Sequence, residues 1–209
     1  MVDFLIVIEG GGSSRAEQAP LRQGFAALFK KLCKSGRNPR VLCAGGRGQA
    51  YKEFEVHINA KPKPHCLLLV DSEAPVASNA SPWDHVAERQ GDGWKRPKGV
   101  DDAMLHFMSE TMEAWIVADP DALATYYGSG FKKTKLPKRS NLEEVPKSDL
   151  IAALLAATEE ARTKGKYQKS HGFDLVGRID PQKVRVACPR FAERFFKALE
   201  KTSVAPLRD

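Results

Sequence analysis

The sequence predicts an α/β fold on a largely parallel sheet with helices on both faces, and three observations carry that prediction. Phe4, Leu5, Ile6, Val7 and Ile8 form one short continuous apolar run, and Leu67, Leu68, Leu69 and Val70 form another. Runs of this length bounded by turn residues fit strands buried on both faces. A third strand pattern, residues 39–44, lies between them. The segments that join the three carry helical periodicity, so residues 1–73 read β-α-β-α-β, the order of parallel strands joined by right-handed crossovers. The length of 209 residues and the 42% hydrophobic content suit a single globular domain, with a core over about residues 1–120 and a helical elaboration over about 121–209.

The first strand ends in Glu9, Gly10, Gly11, Gly12, Ser13, Ser14 and Arg15. Glycines there permit sharp turning and close approach of backbone to a ligand, which makes Gly10 and Gly11 candidates for holding phosphate. The loop lacks the Gly-Lys-Ser/Thr ending of a nucleotide-binding P-loop and fits a dinucleotide fingerprint poorly. A helix follows, with Leu21, Phe25, Leu28 and Leu32 at intervals of four, three and four. Pro20 is expected in its first turn and Gly36 at its end. The strand at 39–44 closes with Gly45, Gly46, Arg47 and Gly48. The next helix shows Tyr51, Phe54 and Ile58 on its apolar side.

The strand at 67–70 runs into Asp71, Ser72 and Glu73. Residues two apart on an extended chain point the same way, so Asp71 and Glu73 can aim at one point beyond the strand end, where open α/β sheets bind ligands. An acid, a serine and an acid after a strand also make an ordinary turn. Neighbouring carboxylates raise each other's proton affinity unless a cation lies between them, and Mg²⁺ or Mn²⁺ is a suitable hard cation. If the three strand tips share one edge, Glu9, Arg47, Asp71 and Glu73 meet there, with Arg47 available to a phosphate.

Residues 74–100 read as a loop punctuated by Pro75, Pro82, Gly91, Gly93, Pro97 and Gly99. Its Trp83 and Trp94 either stack on bases or pin the loop to the core. A helix is expected from Asp101 or Asp102 to Asp119-Pro120, with Met104, Met108, Met112 and Trp115 on one face. Asp102, His106, Ser109 and Glu113 form its polar stripe. Apolar neighbours around Glu113 imply a partly buried carboxylate that needs a partner. His106 can simply hydrogen-bond within the fold.

Lys132, Lys133, Lys135, Lys138, Arg139 and Lys147 make residues 128–147 an irregular basic segment, either a track for a phosphate backbone or a solvated loop. Ser148 is expected to cap the next helix, with Asp149 in its first turn and Ile151, Leu154 and Leu155 buried. Residues 162–171 are read as a flexible basic run containing Lys166 and Lys169. A short helix over 173–184 is broken at Asp180-Pro181. A last helix carries Phe191, Phe195 and Leu199, with a frayed tail from Thr202.

Lys and Arg number 33 against 26 Asp and Glu, a formal charge of +7 that suits a polyanionic partner such as nucleic acid. No apolar run nears the roughly 20 residues that span a bilayer, and the opening residues lack a signal-peptide pattern, so a cytoplasmic protein is expected without membrane attachment. Cys33, Cys43, Cys66 and Cys188 form no Cys-x-x-Cys pair, so buried reduced thiols are expected rather than a zinc site.

A strand ending in Glu9-Gly10, two crossovers and a strand ending in Asp71-Ser72-Glu73 together resemble the Toprim domain. That domain is shared by topoisomerases, bacterial primases, small maturation ribonucleases and the nuclease halves of overcoming-lysogenization-defect (OLD) proteins. Its usual pair is Asp-x-Asp, and Glu73 departs from it by one methylene. The match covers about the first third of the chain. With Met112-Glu113-Ala114-Trp115 added, the pattern resembles an uncharacterised bacterial Toprim-like family, related to the OLD type, that occurs beside ATPase genes in phage-defence loci. The resemblance implies a Toprim-like (Rossmannoid) sheet and metal-dependent nuclease activity on DNA or RNA. It also implies Glu9, Asp71, Glu73 and Glu113 as ligands of Mg²⁺ or Mn²⁺. A catalytic lysine late in the domain is implied too, Lys169 first and Lys166 second. Glu9 is either a ligand or a general base. An ATPase partner is implied, and a homodimer is left open. Topoisomerase and primase activities need further domains. The competing expectations are a non-catalytic regulatory subunit of an ATPase complex and a basic nucleic-acid-binding module.

Overall fold

A computed structural model of the chain describes residues 4–33, 36–61 and 64–204. Among them one sheet of four parallel strands runs in the order β2-β1-β3-β4, with β1 at Phe4–Ile8, β2 at Arg40–Cys43, β3 at His65–Asp71 and β4 at Leu105–Met108. The α/β class is as the sequence predicts. Ile8 is in register with both Cys43 and Leu69, and Asp71 with Met108. All four carboxyl ends therefore lie along one edge.

The period of two along the buried strands divides the core. Phe4, Ile6, Ile8, Leu67 and Leu69 face one cluster, and Leu5, Val7, Cys66, Leu68 and Val70 face the other. The first cluster is covered by α1 (Arg15–Leu32), which presents Leu21, Phe25, Leu28 and Phe29, and by the C-terminal helices. The second is covered by α2 (Arg47–Ile58) through Ala50, Phe54 and Ile58, and by α3 (Pro82–Glu88) through Trp83 and Val86. Trp115 centres the larger cluster, with its ring 6.5 Å from Phe25, 6.0 Å from Phe195 and 5.2 Å from Phe196.

Several boundaries differ from the sequence reading. Helix α1 begins five residues before Pro20, because Ser14 and Glu17 form a capping box: the Glu17 N–H donates to Ser14 Oγ at 3.2 Å and the Ser14 N–H to Glu17 Oε2 at 2.8 Å. Pro20 lies inside the helix, and the cap at the far end is Cys33 rather than Gly36. Residues 74–100 are not wholly loop, since Ser81 and Asp84 build a second capping box at the start of α3. Trp83 and Trp94 are buried; Trp83 Nε1 donates to the Asp101 carbonyl at 3.2 Å, and Trp94 stacks on Tyr51 at 4.7 Å. They pin the segment to the core.

The largest difference is at residues 101–118. A 3-10 turn at Asp102–Met104 leads into β4, and only Glu113–Val117 is helical, as α4. Hydrogen-bonding beside β3 outweighs the fourfold spacing of the methionines. His106 is consequently buried in the sheet, not exposed on a helical stripe. Its Nε2 bonds the Ala103 carbonyl at 2.8 Å, and burial, with Arg194 nearby, pushes it down to about 3.

Among the described residues everything after β4 is helix or irregular chain, in keeping with the expected helical elaboration. The remaining helices are α5 (Pro120–Tyr127), α6 (Lys147–Ala157), α7 (Lys169–Leu175), α8 (Pro181–Ala187) and α9 (Phe191–Val204). Helix α6 has Pro146, not Ser148, at its N-cap, and buries Leu150, Leu154 and Ala157. Lys169 opens α7 and is not in a flexible run. Helix α9 continues through Thr202 to Val204, and the expected fraying beyond that lies outside the described residues. The four cysteines are free and buried, and burial pushes Cys43 up to about 12. Among the described residues no helix is long and apolar enough to cross a membrane.

Candidate functional site

A cleft of about 330 Å³ opens at the carboxyl ends of β1 and β3. Glu9 and Asp71 line it with Glu113 from α4 and Lys169 from α7; Gly10, Gly11, Gly12, Gly45 and Gly46 form its rim. The rim is glycine for geometric reasons. Gly45 has φ 74°, and a Cβ there would come within 2.5 Å of the Gly12 carbonyl. Gly10 and Gly45 exchange backbone hydrogen bonds of 2.7 and 3.0 Å, which close the two loops against each other. Glu9 is held in the sheet ladder by its N–H to the Leu69 carbonyl at 3.1 Å.

Asp71 is the hub. Its Oδ1 accepts the Met112 N–H at 3.0 Å, and its Oδ2 lies 3.1 Å from Thr111 Oγ1. The same hydroxyl lies 2.5 Å from Glu113 Oε2, and Tyr167 O–H donates to Glu113 Oε1 at 2.8 Å. A hydroxyl carries one proton. Thr111 can therefore satisfy both carboxyls only if one of them is protonated. Burial, together with Glu9 and Glu113, pushes Asp71 up to about 8, with Lys147 opposing. Burial also raises Glu9, against the pull of Arg47. Thr111 and Tyr167 fix where the two buried carboxyls point.

Two cations stand among the acids. Arg47 Nη1 donates to Glu9 Oε2 at 3.1 Å and also to the Asp71 carbonyl. Its Nε and Nη2 form a fork on Asp92 at 2.7 and 2.8 Å, and the guanidinium lies 4.8 Å over Trp94. Burial works against its charge, but Asp92 and Glu9 outweigh that and raise it. Lys147 Nζ donates to Glu73 Oε2 at 2.6 Å and stands 3.9 Å from Asp71 Oδ2. Glu73 itself has φ 62°, a left-handed conformation that costs a non-glycine residue on the order of 1 kcal/mol or more. Such strain collects where a side chain must be aimed.

The structure thus brings together Glu9, Asp71, Glu113 and Lys169 around one cleft, with Arg47 bound to Glu9 and Glu73 tied to Asp71 through Lys147. It does not bring Lys132, Lys133 or Lys166 there. Lys132 is paired to Glu160 and Lys133 to Asp121, while Lys166 is exposed and absent from the cleft lining. Asp92, Thr111, Lys147 and Tyr167 were missed as site residues. Lys147 stood in the basic segment with no feature to single it out, and no local motif marks the other three.

The acids suit a hard divalent cation in kind. Glu9, Asp71, Glu73 and Glu113 are four oxygen donors against Arg47 and Lys147, and Arg47 is shared with Asp92. Burial is the main cause that raises Asp71, the neighbouring carboxylates add to it, and a bound cation would offset both. As they stand, no three His, Cys, Asp or Glu side chains among the described residues are grouped to hold a metal ion. The carboxylates are turned onto Arg47, Lys147, Thr111 and Tyr167, so coordination would need side-chain rotation.

The family model described as Domain of unknown function (DUF4276) matches residues 8–200. The match spans the cleft and all of its lining residues. No curated protein and no solved structure matches the chain.

Proposed function

The chain belongs to the DUF4276 family, and from that premise we propose that it is a Toprim-like, divalent-metal-dependent nuclease, hydrolysing phosphodiester bonds in DNA or RNA. The observation that carries this reading is the convergence of Glu9, Asp71 and Glu113 with Lys169 on one glycine-rimmed cleft at the carboxyl ends of parallel strands.

Glu9, Asp71, Glu73 and Glu113 would hold Mg²⁺ or Mn²⁺. When bound, the ion would neutralise charge on the phosphate and lower the proton affinity of water. The chain's own residues do the rest. The Gly10 and Gly11 backbone lets a phosphate approach closely. Lys169 presents a point charge to the phosphoryl oxygens as their charge grows. Arg47 is fixed by Asp92 and donates to Glu9, which lines the cleft. Water adds to phosphorus, the bond to the leaving oxygen breaks, and that oxygen takes up a proton. Glu9, whose burial raises its proton affinity, is suited to accept the proton lost by water if it does not ligate. A cytoplasmic location and an ATPase partner in a bacterial defence system are part of the same proposal.

One observation favours a second reading. Arg47 and Lys147 already pair with Glu9 and Glu73, as they would in a metal-free, non-catalytic regulatory subunit that binds nucleotide or nucleic acid. Incubation of the purified chain with plasmid DNA and with RNA, in Mg²⁺ or Mn²⁺, separates the two. Cleavage that disappears in Glu9→Gln and Asp71→Asn supports the nuclease. Silence in every metal, while an ATPase co-purifies, supports the subunit.

A further inference from the structure

A second groove, of about 670 Å³, lies on the outer side of the glycine loop. Arg15, Gln18 and Arg22 line one wall, and Arg40, Val41 and Leu42 the other. Arg15, Gln18 and Arg22 are three and seven residues apart on α1, so they share a face, and the two arginines are about 10 Å apart along the axis. Arg40 begins β2, the edge strand of the sheet. All three arginines are exposed. No acidic side chain lines the groove, and among the described residues none of the three forms a salt bridge. This contrasts with Arg47, Arg89, Arg178 and Arg185, each of which meets a carboxylate.

The groove and the acidic cleft share a wall. Gln18 Nε2 donates to the Gly12 carbonyl at 3.3 Å, and a Cβ on Gly11 would lie 3.0 Å from the Gln18 backbone. Gly11 and Gly12 line the cleft on their other side.

We propose that this groove is a track for the phosphodiester backbone of a nucleic acid, leading over the glycine loop into the cleft. The proposal rests on the nuclease reading for what happens in the cleft, but not for the binding itself. Three unpaired guanidiniums with no carboxylate between them favour bidentate contact with phosphates. No aromatic side chain lines the groove, so it offers no platform for stacked bases, and contact is with the backbone rather than with sequence. The lysines of the 128–147 segment are poorer candidates, because Lys132 and Lys133 are engaged by Glu160 and Asp121.

The test is fluorescence anisotropy with labelled 20-residue duplex DNA, single-stranded DNA and RNA in EDTA, so that no cleavage intervenes. Arg15→Gln, Arg22→Gln and Arg40→Gln should each weaken binding about threefold to tenfold. On duplex DNA each should also reduce the slope of log K against log salt by about 0.9, one phosphate contact. The triple variant should lose binding at about 0.1 M salt while keeping the wild-type unfolding midpoint. Lys132→Gln with Lys133→Gln should bind as wild type. The proposal is overturned if the wild type binds none of the three probes, if the triple variant binds like wild type, or if the lysine pair weakens binding as much as the arginines. Hydrolysis of bis(p-nitrophenyl) phosphate reports on the cleft separately. Binding lost with that hydrolysis retained supports the track and the nuclease together. Arginine-dependent binding without any hydrolysis supports the track and sinks only the nuclease.

Discussion

Asp71 and Asp119 are both buried aspartates, with 9% and 4% of their surface exposed, and their surroundings could hardly differ more. Asp119 caps α5 with its Oδ1 accepting the Ala122 N–H at 3.2 Å. Its Oδ2 accepts the Asp180 N–H at 2.9 Å, and Lys183 Nζ donates to Oδ1 at 2.6 Å. Burial alone would raise its proton affinity, but Lys183 and the two backbone donors outweigh it and hold the carboxyl low. Asp71 also has a backbone donor and a nearby lysine, yet burial first, and then Glu9, Glu113 and Glu73 around it, push it up to about 8. Both carboxyls are shielded from solvent, but Asp71 lies deeper in the protein and burial is the largest cause of its rise. The neighbouring charges widen the gap, separating an acid that ties helices together from an acid that is short of a cation.

The largest expected effect sharpens that contrast through activity. Asp71→Asn or Glu9→Gln should lower metal-dependent cleavage by on the order of 10³-fold, whereas Asp119→Asn leaves the rate per folded molecule unchanged. Next comes stability. Asp119→Ala removes a helix cap and leaves Lys183 without its buried partner, so it should cost about 3 kcal/mol in urea unfolding. Asp71→Asn, measured in EDTA, should not lower stability at all, since it removes one of several crowded acids. Equal losses in the two variants would break the comparison.

A smaller effect concerns His106, buried and pushed down to about 3. The folded chain keeps this ring neutral, while the unfolded chain takes up a proton below about 6.5. Its contribution is therefore present above about pH 6.5 and is lost as the pH falls toward 3. Between pH 7 and pH 5 the loss should be about 2 kcal/mol, and His106→Gln should remove it. Arg194 and His65 are the charged neighbours that oppose protonation, and the Ala103 carbonyl is the group that favours it. Smallest of all, Lys133→Ala breaks an exposed pair with Asp121 and should change stability by under about 0.5 kcal/mol.

The strands β1 and β3 were legible because a strand buried on both faces leaves an unbroken apolar run in the sequence, and the edge strand β2 because Val41, Leu42 and Cys43 stand between turn residues. Strand β4 was not. Met104, Met108, Met112 and Trp115 recur at helical intervals, and only pairing with β3 makes residues 105–108 extended. The acids at strand tips were legible because chain direction fixes which edge they reach. Lys169 and Glu113 came from the resemblance and do line the cleft. The partners that orient them were not legible. Asp92, Thr111, Lys147 and Tyr167 arrive from four separate segments, and their contacts exist only once the chain is packed.

The account stands on the acidic cleft being a divalent-cation site, and calorimetric titration of Mn²⁺ into the purified chain tests it most directly. The account predicts saturable binding that is lost in Asp71→Asn and retained in Asp119→Asn. Binding that is absent in the wild type, or that survives Asp71→Asn unchanged, would contradict it.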